Sequence, residues 1–330
     1  MNLKLSIGTA AALGLAHLKT DALPTTAYLM DPGGRCSYNC SFCAQARCAQ
    51  SDDSKLSRVI WREYPIDVVM EGLKKAVASG QIKRTCVQVT LSPGSFERTL
   101  TIVKAVSSTV DVPMSVSTNI QNEEQVHALF EAGAARVSIA LDAATEPLHQ
   151  EIKNSMWHFK IDLLKRMAQR YPGGITTHFI VGLGESEKEV LTAIDDMYAS
   201  KVTVGLFAFT PVKGTAMADV PPPSAGQYRR VQLANWLLKT HQVSLDQLIF
   251  NDEGQLVKID ADTDKLLSLA QKGVAFQTAG CVNCNRPFYN ENPGHGVMYN
   301  YPRPLRPTEA KRALLETELF DDIQVEALYQ

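Results

Sequence analysis

From about residue 25 onward, short runs rich in Val, Ile, Phe and Thr alternate with longer stretches whose apolar residues recur at helical spacing. The short runs Thr25–Met30, Arg84–Leu91, Met114–Ser117, Arg136–Leu141, Thr176–Val181 and Val202–Phe209 read as buried strands. Between them, Ile66–Ala78 sets Val68, Val69, Leu73 and Val77 near one helical face, and Glu123–Ala132, Ile161–Gln169, Glu187–Tyr198 and Gln227–Leu238 repeat the pattern. Strand, helix and strand in steady alternation predict parallel pairing with right-handed crossovers. The expected fold is therefore α/β, a parallel (β/α) barrel of full or partial TIM type. A barrel is preferred to an open doubly wound sheet because nearly every strand end carries unusual residues, as one site ringed by loops requires.

Three regions follow: an N-terminal helical segment over 1–24, the barrel over 25–272, and a C-terminal cysteine-containing extension over 273–330. Pro221-Pro222-Pro223 marks a stiff connection, and beyond Gly273 a Gly, Pro, Asn and Tyr-rich stretch leads to a charged helix, Glu309–Leu319. The apolar run from Ser6 to Leu18 is too short to span a bilayer. With Lys4 ahead of it, the run has some likeness to a signal peptide, but an amphipathic helix is the preferred reading.

Composition narrows the classes. Hydrophobic residues make up 45% and charged residues 21%, values of an ordinary globular chain. A formal net charge of −2 gives no overall basic field to draw nucleic acid or anionic lipid, so neither nucleic acid nor membrane is an expected partner. The seven cysteines change the picture most. Cys36, Cys40, Cys43 and Cys48 are clustered, Cys86 stands alone, and Cys281 and Cys284 form a late pair. Clustered thiols in a long chain with a full apolar inventory point to metal binding in a reducing compartment, hence a cytoplasmic location, rather than to a disulfide framework.

Cys36, Cys40 and Cys43 stand as Cys-x3-Cys-x2-Cys in the loop after the first predicted strand, behind Gly33 and Gly34. Three thiolates at these offsets suit one corner of a cubane and leave its fourth iron open. Structural zinc is the competing reading and would need a fourth ligand, for which only Cys48 is at hand. This triad, with Phe42 before its third cysteine, resembles the signature of the radical S-adenosylmethionine (SAM) superfamily.

The resemblance implies a [4Fe–4S] cluster held by Cys36, Cys40 and Cys43, whose open iron is chelated by SAM, and a 5′-deoxyadenosyl radical as the reactive species. It implies cofactor contacts from Phe42, from Ser92 in Thr90-Leu91-Ser92-Pro93-Gly94, from Asp142 for the ribose hydroxyls, and from Ile180 and Gly182 in Ile180-Val181-Gly182-Leu183-Gly184-Glu185 behind the adenine. The usual Gly-Gly-Glu is absent around Ser92, and Asp142 is also suited to cap a helix.

Within the superfamily, Cys43-Ala44-Gln45-Ala46, Arg84-Thr85-Cys86 and Lys213-Gly214-Thr215 resemble biotin synthase and its relatives. Cys86 falls where that family places an auxiliary-cluster thiolate, but its other auxiliary cysteines align with Met114 and Thr176, so the biotin-type cage is not expected. Cys281-Val282-Asn283-Cys284-Asn285-Arg286-Pro287-Phe288-Tyr289-Asn290 instead resembles the tail of the two-component lipoyl synthases. That likeness implies a second, auxiliary [4Fe–4S] cluster drawing on Cys86, Cys281, Cys284 and Cys48. It also implies sulfur insertion into an octanoyl chain, the carbon radical attacking a bridging sulfide of that cluster.

The implied partners are an octanoylated lipoyl carrier protein (H protein or E2 lipoyl domain), a second radical SAM lipoyl synthase component, and an electron donor such as ferredoxin or flavodoxin. Two alternatives stay open: a biotin synthase-related mutase or cyclase without sulfur transfer, and a non-catalytic zinc-binding interaction protein. His178 reads equally as a core histidine or a substrate contact; Arg286, Tyr289, Asn290 and His295 as closing the barrel mouth, touching the carrier protein, or packing a loop; and Trp61, Trp157 and Trp236 as packing residues.

Overall fold

A computed structural model of the chain describes residues 1–289 and 297–330. In order, the elements are β1 (Asn2–Ser6), α1 (Ile7–Ala12), β2 (Thr26–Met30), β3 (Lys55–Leu56), β4 (Val59–Pro65), α2 (Ile66–Ala78), β5 (Arg84–Gln88), α3 (Ser95–Ser107), β6 (Met114–Ser117), α4 (Glu123–Glu131) and β7 (Arg136–Ser138). There follow α5 (Glu146–Lys153), α6 (Trp157–Arg170), β8 (Ile175–Val181), α7 (Glu187–Ala199), β9 (Thr203–Ala208), α8 (Ala225–Lys239), β10 (Leu248–Phe250), β11 (Leu256–Ile259), α9 (Thr263–Ala270), α10 (Pro307–Leu315) and α11 (Asp322–Leu328).

Among the described residues, nine strands form one sheet in the order β3-β4-β1-β2-β5-β6-β7-β8-β9. From β2 to β9 every pairing is parallel, so this is a partial barrel of βα units. Helices cover the outer face. On α2, Val69, Leu73 and Ala76 are buried, whereas Val68 points to solvent, because the buried stripe follows the i, i+4, i+7 rows. α7 starts at a capping box in which Ser186 and Glu189 satisfy each other's backbone N–H groups.

The N-terminal segment departs from expectation. Asn2–Ser6 is a strand inserted antiparallel between β2 and β4, with Leu3 and Leu5 fully buried. The Ser6 side chain then caps Thr9 N–H and starts a helix of one and a half turns, which Gly14 (φ 76°) ends. Leu3 to Ser6 are all buried, and the strand is defined by its pairing with β2 and β4, which lie further along the chain, so no local periodicity marks it. Of the expected helical run Ser6–Leu18 only Ile7–Ala12 is helix. Near the other end, the expected helix Glu309–Leu319 is α10, which stops at Leu315, followed by the separate α11.

Strand alternation explains the barrel's interior. Thr26, Tyr28 and Met30 of β2, Arg84, Cys86 and Gln88 of β5, Ser115 and Ser117 of β6, Thr176, His178 and Ile180 of β8, and Thr203, Gly205 and Phe207 of β9 all line internal cavities. Ala27, Leu29, Val87, Val116 and Phe179 lie between them and pack into the main core. The inner face is thus largely polar and the outer face apolar, the reverse of a filled barrel.

The stretch after α9 crosses the open side of this sheet. Arg286 reaches β9, donating from Nη2 to Leu206 O (2.9 Å) and standing 4.0 Å over the Phe207 ring. Phe288 joins Tyr28, Met30, Val59 and Trp61 in a second apolar cluster. Asn285 fastens the crossing: its Oδ1 accepts from Thr25 N–H (2.8 Å) while its Nδ2 donates to Leu23 O and Pro302 O (3.1 Å each).

Candidate active site

The β2–β3 connection carries the cysteine triad. It is folded by local bonds: Cys36 N–H to Gln45 O (3.0 Å), Cys43 N–H to Cys40 O (3.0 Å) and Ala46 N–H to Cys43 O (3.1 Å). Gln50 N–H donates to Gly214 O (2.7 Å), which docks this loop on the one after β9. A side chain at Gly214 would place its Cβ 2.6 Å from Ser51 N, and the residue sits at φ 88°, so Lys213-Gly214-Thr215 requires glycine for this approach.

Cys36, Cys40 and Cys43 open onto one cavity of about 260 Å³ at the carboxyl ends of the strands, shared with Phe42, Asp142 and Ile180. Burial pushes the Cys43 thiol up to about 12, and the neighbouring Cys40 adds to the shift. Burial also raises Cys40, against which Lys153 works. Buried thiols with raised values ionise when a metal takes the place of the proton. Thr90 Oγ1 and Gln45 Oε1 are buried, line the same cavity and have no hydrogen-bond partner among the described residues, so the cavity is built for a polar occupant.

Asp142 is the charged centre of the wall. It adopts φ 65°, a left-handed conformation uncommon outside glycine, and its carboxylate bonds Lys153 Nζ and His178 Nε2 (2.7 Å). Burial favours the neutral carboxyl, but Lys153 and His178 outweigh it and hold Asp142 well below the usual carboxylate range. Lys160 lies alongside; burial, aided by repulsion from Lys153, pulls it down to about 7. His149 is drawn down to about 4 by burial and the same lysines, and lies within 2.9 Å of Leu141 O and 2.7 Å of Ser155 Oγ. Lys153, Lys160 and Asp142 thus act electrostatically on Cys40 from behind the cavity wall, Asp142 alone of the three reaching the lining.

The remaining expected cofactor residues stand off this cavity. Ser92 is not part of its lining, and its Oγ accepts from Arg98 Nη2 (2.6 Å), a guanidinium fixed by the buried Asp31. Gly182 also lies outside the lining. It turns the chain at φ 99°, donates to Glu185 Oε1 (2.7 Å), and leaves room for Pro223, whose Cδ would be 2.7 Å from an added Cβ. Phe42 and Ile180 pack with Leu183 and Phe209 in an apolar cluster against which a flat ring system can rest.

A second chamber of about 80 Å³ lies deeper in the barrel and brings Cys86, Cys281 and Cys284 together. Gln88 Nε2 donates to Cys86 Sγ (3.1 Å), Tyr28 Oη lies 3.3 Å from Cys284 Sγ, and Arg136 Nη1 and Ser115 Oγ each lie 3.8 Å from Cys281 Sγ. Burial pushes the Cys86 thiol up to about 12, helped by Cys284 and Cys281. Cys48 does not join them. It is exposed on the triad loop, its N–H bonded to Asn39 Oδ1 (3.0 Å), and lines neither cavity. On β6 the inward position is Ser115, while Met114 packs outward into the core, one residue off the expected alignment.

Gln88, Ser117, His178, Phe207 and Tyr289 line both spaces and form the waist between them. Tyr289 Oη donates to Gln88 Oε1 (2.8 Å), and its ring lies 4.7 Å from Tyr28 and 5.9 Å from Phe207. Tyr289 and Arg286 thus face the interior; Asn290 and His295 lie outside the described residues. Trp61 is core, as expected, and no helix among the described residues is long and apolar enough to cross a membrane. No three His, Cys, Asp or Glu side chains among the described residues converge on a single metal ion. A cluster gives each thiolate its own iron and so holds its ligands further apart than one zinc ion does; Cys36, Cys40 and Cys43 in one cavity and Cys86, Cys281 and Cys284 in the other are the residues that would hold such groups.

A sequence profile of the Radical SAM superfamily matches residues 30–197, about half of the chain, including the whole triad. The chain belongs to the radical SAM superfamily. The superfamily implies a [4Fe–4S] cluster and SAM, and the triad cavity supplies three thiols and polar walls for them. Relatives are biotin synthases: that of Aquifex aeolicus is 25% identical over 195 residues, covering 57% of this chain and 56% of the relative. That of Desulforudis audaxviator is 29% identical over 198 residues, covering 57% of each. The chain spans about half the length of the relatives it matches.

Among solved structures, this radical SAM chain is similar in fold to a methylornithine synthase (TM-score 0.54, 13% identity, 89% of this chain and 82% of that one). It is similar likewise to HydG, a maturase of the [FeFe]-hydrogenase (TM-score 0.53, 11% identity, 73% and 53%).

The residues that the sequence reading passed over are Lys153, Lys160, Gln88, Ser115 and Arg136. Lys160 carried a readable signal: it occupies the apolar stripe of α6 with Leu163, Leu164 and Met167, a place where lysine is costly unless partnered. Gln88 and Ser115 carried none, since which side of a strand faces inward depends on register.

Proposed function

We propose that this radical SAM enzyme inserts sulfur into the octanoyl chain of a lipoyl carrier protein, as one component of a two-protein lipoyl synthase. The observation that supports this reading is the pair of thiol sets, Cys36/Cys40/Cys43 and Cys86/Cys281/Cys284, on opposite sides of one waist within a single barrel. When bound, SAM and its [4Fe–4S] cluster supply a radical able to take hydrogen from an unactivated carbon, and an auxiliary cluster supplies sulfur.

The chain's own residues hold and aim the reactants. Asp142, which lines the triad cavity, accepts from the ribose hydroxyls, and Lys153 behind it and His178 beside it hold it ionised. Phe42 and Ile180 offer apolar contact to the adenine. At the waist, Phe207 and Tyr289 present ring faces to an unbranched acyl chain, whose reacting carbon then lies between the two thiol sets. Tyr289, Phe288 and Arg286 close the side of the barrel against water. The carrier protein, a second radical SAM component and a ferredoxin or flavodoxin belong to the same proposal, as does the use of Cys86, Cys281 and Cys284 as auxiliary-cluster ligands.

The test is anaerobic incubation of the reconstituted enzyme with SAM, a reductant and an octanoyl-lysyl peptide, with and without the partner component, followed by mass spectrometry. The peptide is expected to gain sulfur one atom at a time. SAM cleavage with no change in the peptide would remove the substrate assignment.

A further inference from the structure

Beneath the second chamber, at the amino ends of the strands, a crevice of about 660 Å³ opens to solvent between Lys83, Arg84, Arg136, Arg170, Val282 and Asn283. It is rimmed by four cations, and no Asp or Glu lines it. None of the four has a carboxylate within 4.0 Å among the described residues, although acids outnumber bases in the chain as a whole. Elsewhere buried arginines are paired with acids: Arg229 holds Glu316 and Arg230 holds Glu187. Arg84 is as deeply buried, 3% exposed, yet bonds only neutral groups, Val282 O (2.9 Å) and Ser115 Oγ (2.6 Å).

The crevice and the thiol chamber share a wall one side chain thick. Arg84 lines both spaces. Arg136 lines the crevice and places Nη1 3.8 Å from Cys281 Sγ, while Val282 and Asn283 of the Cys-x2-Cys turn form the crevice's own edge. A funnel of unpaired cations leading to buried sulfur ligands concentrates small anions at its narrow end. Only the Arg84–Arg136 layer separates the two spaces.

We propose that this crevice is an inlet through which hydrosulfide reaches the auxiliary cluster. The inlet rests on the reading of Cys86, Cys281 and Cys284 as cluster ligands. The step it serves is ligand exchange without electron transfer. An incoming HS⁻ would give up its proton and replace one sulfide of the cluster, and the displaced sulfide would take up one proton and leave as HS⁻. Lys83 and Arg170, exposed at the rim, attract the anion; Arg84 and Arg136 pass it inward.

The test follows exchange of isotopically heavy hydrosulfide into the anaerobic holoprotein by mass spectrometry of the cluster sulfide, with Cys86→Ala protein reporting exchange at the SAM-binding cluster alone. Wild type is compared with Lys83→Glu/Arg170→Glu and with the milder Lys83→Gln/Arg170→Gln. Auxiliary exchange is expected to slow at least about fivefold in the charge-reversed protein and by less in the neutral one, and added salt should slow only wild type. Iron content and peptide-independent SAM cleavage should stay unchanged. Equal exchange rates in all three proteins, each with about eight irons per chain, overturn the inlet alone. About four irons in wild type overturn the auxiliary cluster and the inlet with it.

Discussion

Removing single thiols separates the two sites. Cys86→Ala, Cys281→Ala or Cys284→Ala should lower iron after anaerobic reconstitution from about eight to about four per chain and leave SAM cleavage in place. Cys36→Ala, Cys40→Ala or Cys43→Ala should abolish cleavage, and Cys48→Ala, exposed on the loop, should change neither quantity. Colorimetric iron and sulfide assays with a deoxyadenosine readout check all seven. Glu185 gives a pH signature. Burial raises its carboxyl to about 7, although Gly182 and Leu183 N–H groups donate to it. The folded state therefore keeps a proton that the unfolded chain releases near pH 4.5. Its contribution is present below that pH and is lost as pH rises through about 7, by on the order of 3 kcal/mol. Glu185→Gln should flatten that part of a urea-unfolding pH series. At this scale the triad was legible because thiols are rare and its spacing is chemical, whereas Cys86 stands alone and was marked only by the likeness to biotin synthase. Lys153 was not legible, and Lys160 was readable only as a lysine out of place on an apolar stripe, since what matters is their convergence on Asp142 from two helices.

The elements most legible in the sequence were those with long one-sided patterns. α2 has its expected bounds, and β2, β6, β8 and β9 fall within a residue of expectation, because their outer faces are apolar and helix-covered. α3 went unread: it starts at Gly94 in a left-handed conformation with no side-chain cap, and its sequence mixes Ser, Thr and Arg among the apolar residues. β3 and β4 are defined by pairing with each other and with β1, which no local pattern shows. The connection after β8 offers a prediction at this scale. Gly182→Ala must accept φ 99° and push Pro223 aside, so it should cost about 1–3 kcal/mol in unfolding experiments and weaken SAM binding, as measured by calorimetry.

At the scale of the molecule, the described tail residues complete the barrel that the sheet leaves open. They span from β9, through Arg286 and Gly280, to β2 and β4, through Phe288 and Tyr289. The sequence showed this segment as a cysteine-bearing extension but not as a wall, because its contacts are to residues far away in the chain. Asn285 is the fastener, and Asn285→Ala removes all four of its side-chain bonds to Thr25, Leu23 and Pro302. At about 1 kcal/mol each, less what water restores, the tail should loosen by roughly 2–3 kcal/mol. Limited proteolysis after α9 and a fall in iron toward about four per chain, with SAM cleavage retained, would register it.

The division of the deeper thiols between β5 and the tail sets a chronology. A nascent chain leaving the ribosome presents Cys36, Cys40 and Cys43 together, early and on one loop, whereas Cys86 must wait for Cys281 and Cys284 to emerge at the far end. The triad thiols are therefore all available long before the deeper set is complete.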